Sequence, residues 1–196
     1  DGNKILITRD KYANMMFDNK EPDNPIENRK NYGNNRWSVS NIRQWLNSDK
    51  PAGEWYDPMY AYDEAPDYAS QNGFLFNFTE SEKQIIIPKT NIQVVPSGDN
   101  DGPADTTVDS VWLPSYTEYF GSVNPGSNIK EGKQFEWFKT ASNRNHDNVF
   151  YYPWMRSTYV GSLDIVYCVI SGGSSYGGSI AYDSLGVRPA ILVKSI

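Results

Sequence analysis

Residues 154–193 read WMRSTYVGSLDIVYCVISGGSSYGGSIAYDSLGVRPAILV. Two rigid ends, WMRS and GVRPAILV, bracket an interior almost free of charge. From Ser157 to Gly186 there are seven Ser, six Gly and four Tyr, and Asp164 and Asp183 are the only charged residues. No catalytic motif has that texture. A contact surface does, because Tyr supplies rigid amphipathic area while Ser and Gly supply adaptable polar contact. In the β-like run from Ile165 to Ile170 side chains alternate, so Tyr167 and Val169 oppose Val166 and Cys168. The pattern leaves open which pair faces outward.

Working outward, the 196 residues suit one domain with a real core. Aromatic residues make up 14% of the chain, and each buries a large area, so a loop-rich fold can still be anchored. A net charge of −6 argues against a nucleic-acid partner, which would select a basic patch. The single cysteine, Cys168, rules out an intrachain disulfide. No apolar run approaches the length of a membrane span, so direct membrane insertion is not expected. The chain opens abruptly on DGNKILIT, as the middle of a hairpin would, with no targeting segment in view.

Lys4 to Thr8 is β-like, and residues 17 to 36, rich in Asn, read as loop. Ser40 caps a short amphipathic helix whose Ile42, Trp45 and Leu46 share one face. Residues 49 to 73 are irregular. Thr79 with Glu82, and Ser115 with Glu118, have the spacing of capping boxes. Ile85 to Ile87 close the first of those helices or begin a strand, and Pro88 ends the run. Ile92 to Val95 reads as a strand, Ser97 to Asp109 as a flexible polar loop, and Val111 to Pro114 as a short buried run. Ile165 to Ile170 and Val187 to Val193 are strand-like. The fold class is α+β, with short helices, small antiparallel pairings and much ordered loop.

The chemical motifs are weak. His146 stands alone in an Asn-rich loop, where a histidine-based zinc site needs three or four ligands. Cys168 lies between Tyr167 and Val169 and reads as a small packing or surface residue. Asp99, Asn100, Asp101 and Gly102 resemble part of a calcium loop, but Ser97 and Val108 stand where an EF-hand needs acids. Glu118 near Trp112 is a conceivable hydrolase carboxylate, yet it already serves a capping box. Glu21, Pro22 and Asp23 mimic the sugar motif of C-type lectins with an Asp inserted, and its companion motif and disulfides are absent. No catalytic residue, metal or cofactor is expected.

Five ordered segments carry a resemblance: NRWSVSNIRQWLN (35–47), FTESEKQII (78–86), VWLPSYTEYF (111–120), WMRS (154–157) and GVRPAILV (186–193). Together they resemble an uncharacterised microbial domain family, common in surface-associated proteins, that ends in W-L-R-S…G-V-R-P-A. Met155 stands for the usual Leu, a mild swap. The family looks like the formylglycine-generating-enzyme type of C-type lectin fold, which variable proteins of diversity-generating retroelements use. The resemblance implies a single C-type lectin-like domain over residues 1–196, with 157–186 a ligand-binding region rewritten by adenine mutagenesis. The enzyme's catalytic cysteine pair cannot exist here.

The genetic code bears on that implication. Mutating both adenines of AAC or AAT reaches every amino acid except Lys, Glu, Gln, Met and Trp. Residues 157–186 contain none of those five, whereas the other 166 residues contain 35 of them. At that background frequency an empty window of this length has a chance of roughly one in a thousand.

The contact face is therefore expected within Thr158 to Leu185. Tyr159, Tyr167, Tyr176 and Tyr182 are its aromatic anchors. Ser162, Ser174, Ser175 and Ser179 supply hydrogen bonds, and Asp164 and Asp183 set a charge preference. Thr158, Val160, Leu163, Ser171 and Ser184 complete it. Trp37, Trp45, Trp112 and Trp154 anchor the framework, Arg156 and Arg188 brace loops through backbone carbonyls, and Gly173 and Gly186 serve turns. The expected partner is a protein or glycan ligand on a host or neighbouring cell, and the expected place is extracellular, on a cell surface or virion. The alternative is an undiversified adhesion or glycan-binding domain of the same fold.

Overall fold

In the computed structural model, which describes residues 2–145 and 152–195, three helices begin at the expected caps. The chain runs through β1 (Lys4–Ile7), β2 (Ala13–Met15), α1 (Glu27–Tyr32), α2 (Asn41–Leu46), α3 (Glu80–Ile85), β3 (Lys89–Val94) and β4 (Ala104–Asp109). It continues through β5 (Val111–Trp112), α4 (Tyr116–Phe120), α5 (Ala141–Arg144), β6 (Trp154–Thr158), β7 (Ile165–Val169), β8 (Ser175–Ile180), β9 (Leu185–Val187) and β10 (Ala190–Val193). Ser40 caps α2, and both capping boxes form, at Thr79 with Glu82 and at Ser115 with Glu118. Each box joins residues three apart, so nothing distant is needed to close it. His146 lies outside the described residues.

Among the described residues four small antiparallel sheets result: β1-β10-β5, β2-β9, β3-β4 and β6-β7-β8. The first strand thus pairs with the last. Trp37, Trp112 and Trp154 are fully buried, with Trp45 and Trp55 nearly so, in a core shared with Phe17, Ile42 and Leu46. A second cluster, of Tyr119, Phe138, Met155, Tyr167 and Val169, lies on the other side of β7. Architecturally this is an α+β protein of few short helices and small sheets.

Three expectations need correction. Residues 17–36 are not simply loop: they contain α1 and bury Asp18, Glu21, Asn24, Arg29, Asn34 and Asn35. The second half of the Ser97–Asp109 loop is β4, paired with β3 from Lys89↔Asp109 to Val94↔Ala104. Its acids are poor strand formers, but each has a long-range partner. Asp105 takes the Arg36 guanidinium through both oxygens, and Asp109 takes Arg43 at 2.6 Å and the Trp37 indole at 3.0 Å. Gly186 lies within β9 opposite Asn14, not in a turn.

Candidate recognition surface

The segment from Thr158 to Ser184 is held mainly by its main chain. Asn124 Nδ2 donates to the Thr158 carbonyl at 2.9 Å, and the Ser97 amide and hydroxyl both donate to that of Val160. Asn35 Nδ2 donates to the carbonyls of Ser162 and Ile165, each at 2.9 Å. The Asn35 amide and Arg29 Nε both reach the Leu163 carbonyl at 3.4 Å, and Arg144 reaches that of Gly173 at 3.0 Å. Backbone carbonyls accept these bonds whatever side chain the residue carries. Arg29 and Asn35 come from the stretch that sequence patterning leaves as loop. Lone polar residues without periodicity announce no such role.

Arg29 is itself clamped, its Nη2 lying 2.6 and 2.7 Å from the two oxygens of Asp99. Arg36 Nη1 pairs with Asp101 at 2.5 Å. The calcium-like Asp99–Gly102 stretch therefore spends its carboxylates on arginines. The framework arginines behave as expected. Arg156 and Arg188 are buried, and Arg156 donates to the carbonyls of Leu113 and Glu131 while Arg188 donates to those of Thr8, Asn143 and Arg144.

The expected contact residues divide by burial. Tyr159, Tyr176 and Tyr182 are 39%, 53% and 37% exposed, and Ser171, Ser174 and Ser184 are exposed beside them in sequence. Val160, Ser162, Leu163, Ser175, Ser179 and Asp183 are partly buried. Burial of Asp183 pushes its carboxyl above the usual range, against a hydrogen bond from Ser179. Thr158, Asp164 and Tyr167 are buried and do not belong to an accessible face. Asp164 accepts from Asn28 Nδ2 at 3.0 Å and from Ser162 Oγ, so it pins the loop instead of setting a charge preference.

Neither face of β7 is open. Val166 and Cys168 enter the main core, and Tyr167 and Val169 enter the second cluster. Burial lifts the Cys168 thiol to about 12, which makes it a packing group without nucleophilic character. Tyr167 instead links a row of rings. Phe120, Tyr116, Tyr167 and Tyr159 follow one another at centroid distances of 4.9, 5.2 and 5.7 Å, ending at the surface. The row seats Tyr159 on a buried aromatic base. Tyr182 is placed by the hydrogen bond its backbone N–H donates to the Tyr32 carbonyl and by Lys20, whose ammonium lies 4.4 Å from the ring centre.

The turn between β7 and β8 contains Gly172 and Gly173, both at positive φ. A Cβ on Gly173 would collide with the backbone of Ala141, whereas one on Gly172 would meet nothing within 4 Å. Gly173→Ala is expected to cost about 2 kcal/mol or more and Gly172→Ala about 1 kcal/mol, from the left-handed backbone alone. Urea midpoints of the two variants check this, and equal losses would sink the packing argument.

Glu21, from the lectin-like tripeptide, has a structural setting. It is fully buried, accepts from Tyr60 and Asn24, and lies near Asp18 and Asp63. Burial chiefly raises its carboxyl to about 7, and Asp18 and Asp63 are raised by burial too. The folded value exceeds the unfolded one, so Glu21's contribution to stability is complete at low pH and lost as pH rises through about 7. Relative to Glu21→Gln, the wild type is expected to lose on the order of 2–3 kcal/mol between about pH 5 and pH 8. Parallel pH profiles of the two proteins would contradict this.

Residues 2–195 match a family described as a domain of unknown function (DUF6273). No curated protein and no solved structure matches the chain.

Proposed function

The chain belongs to the DUF6273 family of domains of unknown function, and from that premise we propose that it is a ligand-recognition protein on a C-type lectin-like scaffold. Its C-terminal surface is diversified by retroelement-directed adenine mutagenesis. The partner is a protein or glycan on a host or neighbouring cell, met outside the cell or virion that carries the domain. No catalysis is assigned to it.

One observation carries the reading. Framework side chains outside residues 157–186 grip the segment by its carbonyls, while its exposed Tyr and Ser side chains project away. Such a segment can change side chains without changing backbone, so binding needs little ordering. Paired terminal strands, small antiparallel sheets and long ordered loops are compatible with the lectin-like scaffold.

The test is to sequence the DNA flanking the gene. A near-copy mismatched only at its adenines is expected, with AAC or AAT opposite Tyr159, Ser171, Ser174, Tyr176, Tyr182 and Ser184. The buried Thr158, Asp164 and Tyr167 are expected to lie outside the mismatched set. Ordinary codons with no near-copy would leave an undiversified adhesion or glycan-binding domain.

Replacing Tyr159, Tyr176 and Tyr182 together by Ala is expected to preserve the fold, at a cost of about 1 kcal/mol or less for each. Unfolding of the triple variant in the absence of denaturant would refute their assignment as a contact surface. Circular dichroism melting reads the result.

A further inference from the structure

We propose that the outer edge of β1 is a docking groove for an extended protein segment in which apolar and acidic side chains alternate. This site shares no residue with the Tyr/Ser/Gly segment.

The edge is open. Among the described residues β1 pairs only with β10, in register from Lys4↔Val193 to Ile7↔Ala190. The Thr8 amide donates to the Pro189 carbonyl, which continues that register and sets its phase. In an antiparallel ladder alternate residues bond inward. Lys4, Leu6 and Thr8 therefore turn their main chain toward β10, and Ile5 and Ile7 turn theirs outward. The far side of β10 agrees: Leu192 accepts from Ile87 at 2.7 Å, and Lys194 donates to Ile85 at 2.9 Å. Among the described residues nothing outside the ladder bonds the main chain of Ile5 or Ile7.

Edges are ordinarily blunted by charge, proline, a bulge or a cover. This one presents Ile5 and Leu6, 40% and 49% exposed, with Lys4 the sole charge in the strand. Its two faces open on different chemistry. Leu6 and Thr8 line an apolar cavity of about 220 Å³ with Phe74, Phe78, Pro189 and Ile191. Asn3 and Ile5 line a cleft of about 520 Å³ with Lys89, Lys133, Phe135 and Trp137, and Ile7 reaches both.

The acids of the second cleft are already matched. Glu118 pairs with Arg156 and Lys89, and Glu136 pairs with Lys139. Lys133 has no ion-pair partner among the described residues. A strand added at the edge points successive side chains to opposite faces, and main-chain bonds supply affinity while the clefts supply specificity. Apolar residues then meet Phe74 and Phe78, and acidic ones meet Lys133. A second copy of β1 is a poorer occupant, because KILI brings Lys4 and no carboxylate to that cleft.

The probe is a short capped peptide in which valine alternates with glutamate, and the readout is amide hydrogen exchange by NMR. Exchange at Ile5 and Ile7 is expected to slow by about tenfold or more, with a lysine-for-glutamate peptide binding more weakly. Of the main-chain groups Ile5→Pro removes an outward N–H alone, leaving the β10 ladder intact. It is expected to keep the thermal midpoint and abolish the effect at Ile7. Lys133→Glu is expected to reverse the preference between the two peptides. No slowing at Ile5 and Ile7, equal binding of both peptides, or an unaffected Ile5→Pro variant would overturn the proposal. So would peptide-free protection that grows with protein concentration, which would assign the edge to a second copy.

Discussion

Arg156→Ala is expected to lower unfolding free energy by about 3–5 kcal/mol, a large part of a typical domain's stability. The guanidinium is fully buried and holds three separate pieces of chain. Nη1 lies 3.0 Å from the Leu113 carbonyl and 2.5 Å from Glu118 Oε2, and Nη2 reaches the Glu131 carbonyl. Burial alone would raise the Glu118 carboxyl, but Arg156 and Lys89 together hold it below its usual range. Truncation leaves that carboxylate in the interior with Lys89 as its remaining cation, 3.0 Å away. Its wild-type contribution is present above the unfolded value near 4.5 and lost as pH falls through the lower folded value. The cost of Arg156→Ala should therefore shrink as pH drops toward 4, when the stranded acid can protonate. Urea unfolding at neutral and acidic pH measures both effects. A loss below about 1 kcal/mol, or one that grows on acidification, would contradict the account.

Trp154→Ala is expected to cost about 3–5 kcal/mol, most of it from the cavity left behind. The ring is fully buried, meets Phe17 edge-on at 5.9 Å, and donates its indole N–H to the Met15 carbonyl at 2.9 Å. It thereby ties β6 to β2, and β6 is the strand from which the candidate surface departs. Trp154→Phe keeps much of the volume but leaves the Met15 carbonyl unpaired, so a smaller loss of about 1–3 kcal/mol is expected. Far-UV circular dichroism during urea unfolding separates the variants. A Phe variant as unstable as the Ala variant would place the energy in the hydrogen bond and not in packing.

Much of the framework was readable because its determinants are local. The capping boxes at Thr79 and Ser115 close within a single turn, and Ile42, Trp45 and Leu46 share a helix face at fixed spacing. The strand-like runs at Lys4 to Thr8 and Val187 to Val193 appeared as β1 and β10. Helix α1 escaped notice because its sequence, ENRKNY, has no apolar stripe. Its Arg29 is buried only because Asp99, seventy residues away, neutralises it. β4 escaped for the same reason, since its acids count as turn formers until Arg36 and Arg43 are seen beside them.

The candidate surface divides along the same line. Composition marked residues 157–186 as a region, because absent residue types and clustered Tyr, Ser and Gly need no partner to be seen. It did not separate Tyr159 and Tyr176, which reach solvent, from Tyr167, which lies between Tyr116 and Tyr159. The same residue type is exposed in one place and core in another. The sequence by itself determined where α2, α3 and α4 start, that Trp37, Trp45, Trp112 and Trp154 anchor the core, and which segment carries unusual composition, since hydrogen bonds three residues apart and repeating hydrophobicity are properties of one stretch of chain. The tertiary structure decided which of the segment's side chains are accessible and what holds its backbone. Burial and long-range hydrogen bonds depend on residues such as Asn35 and Asn124 that only folding brings alongside it.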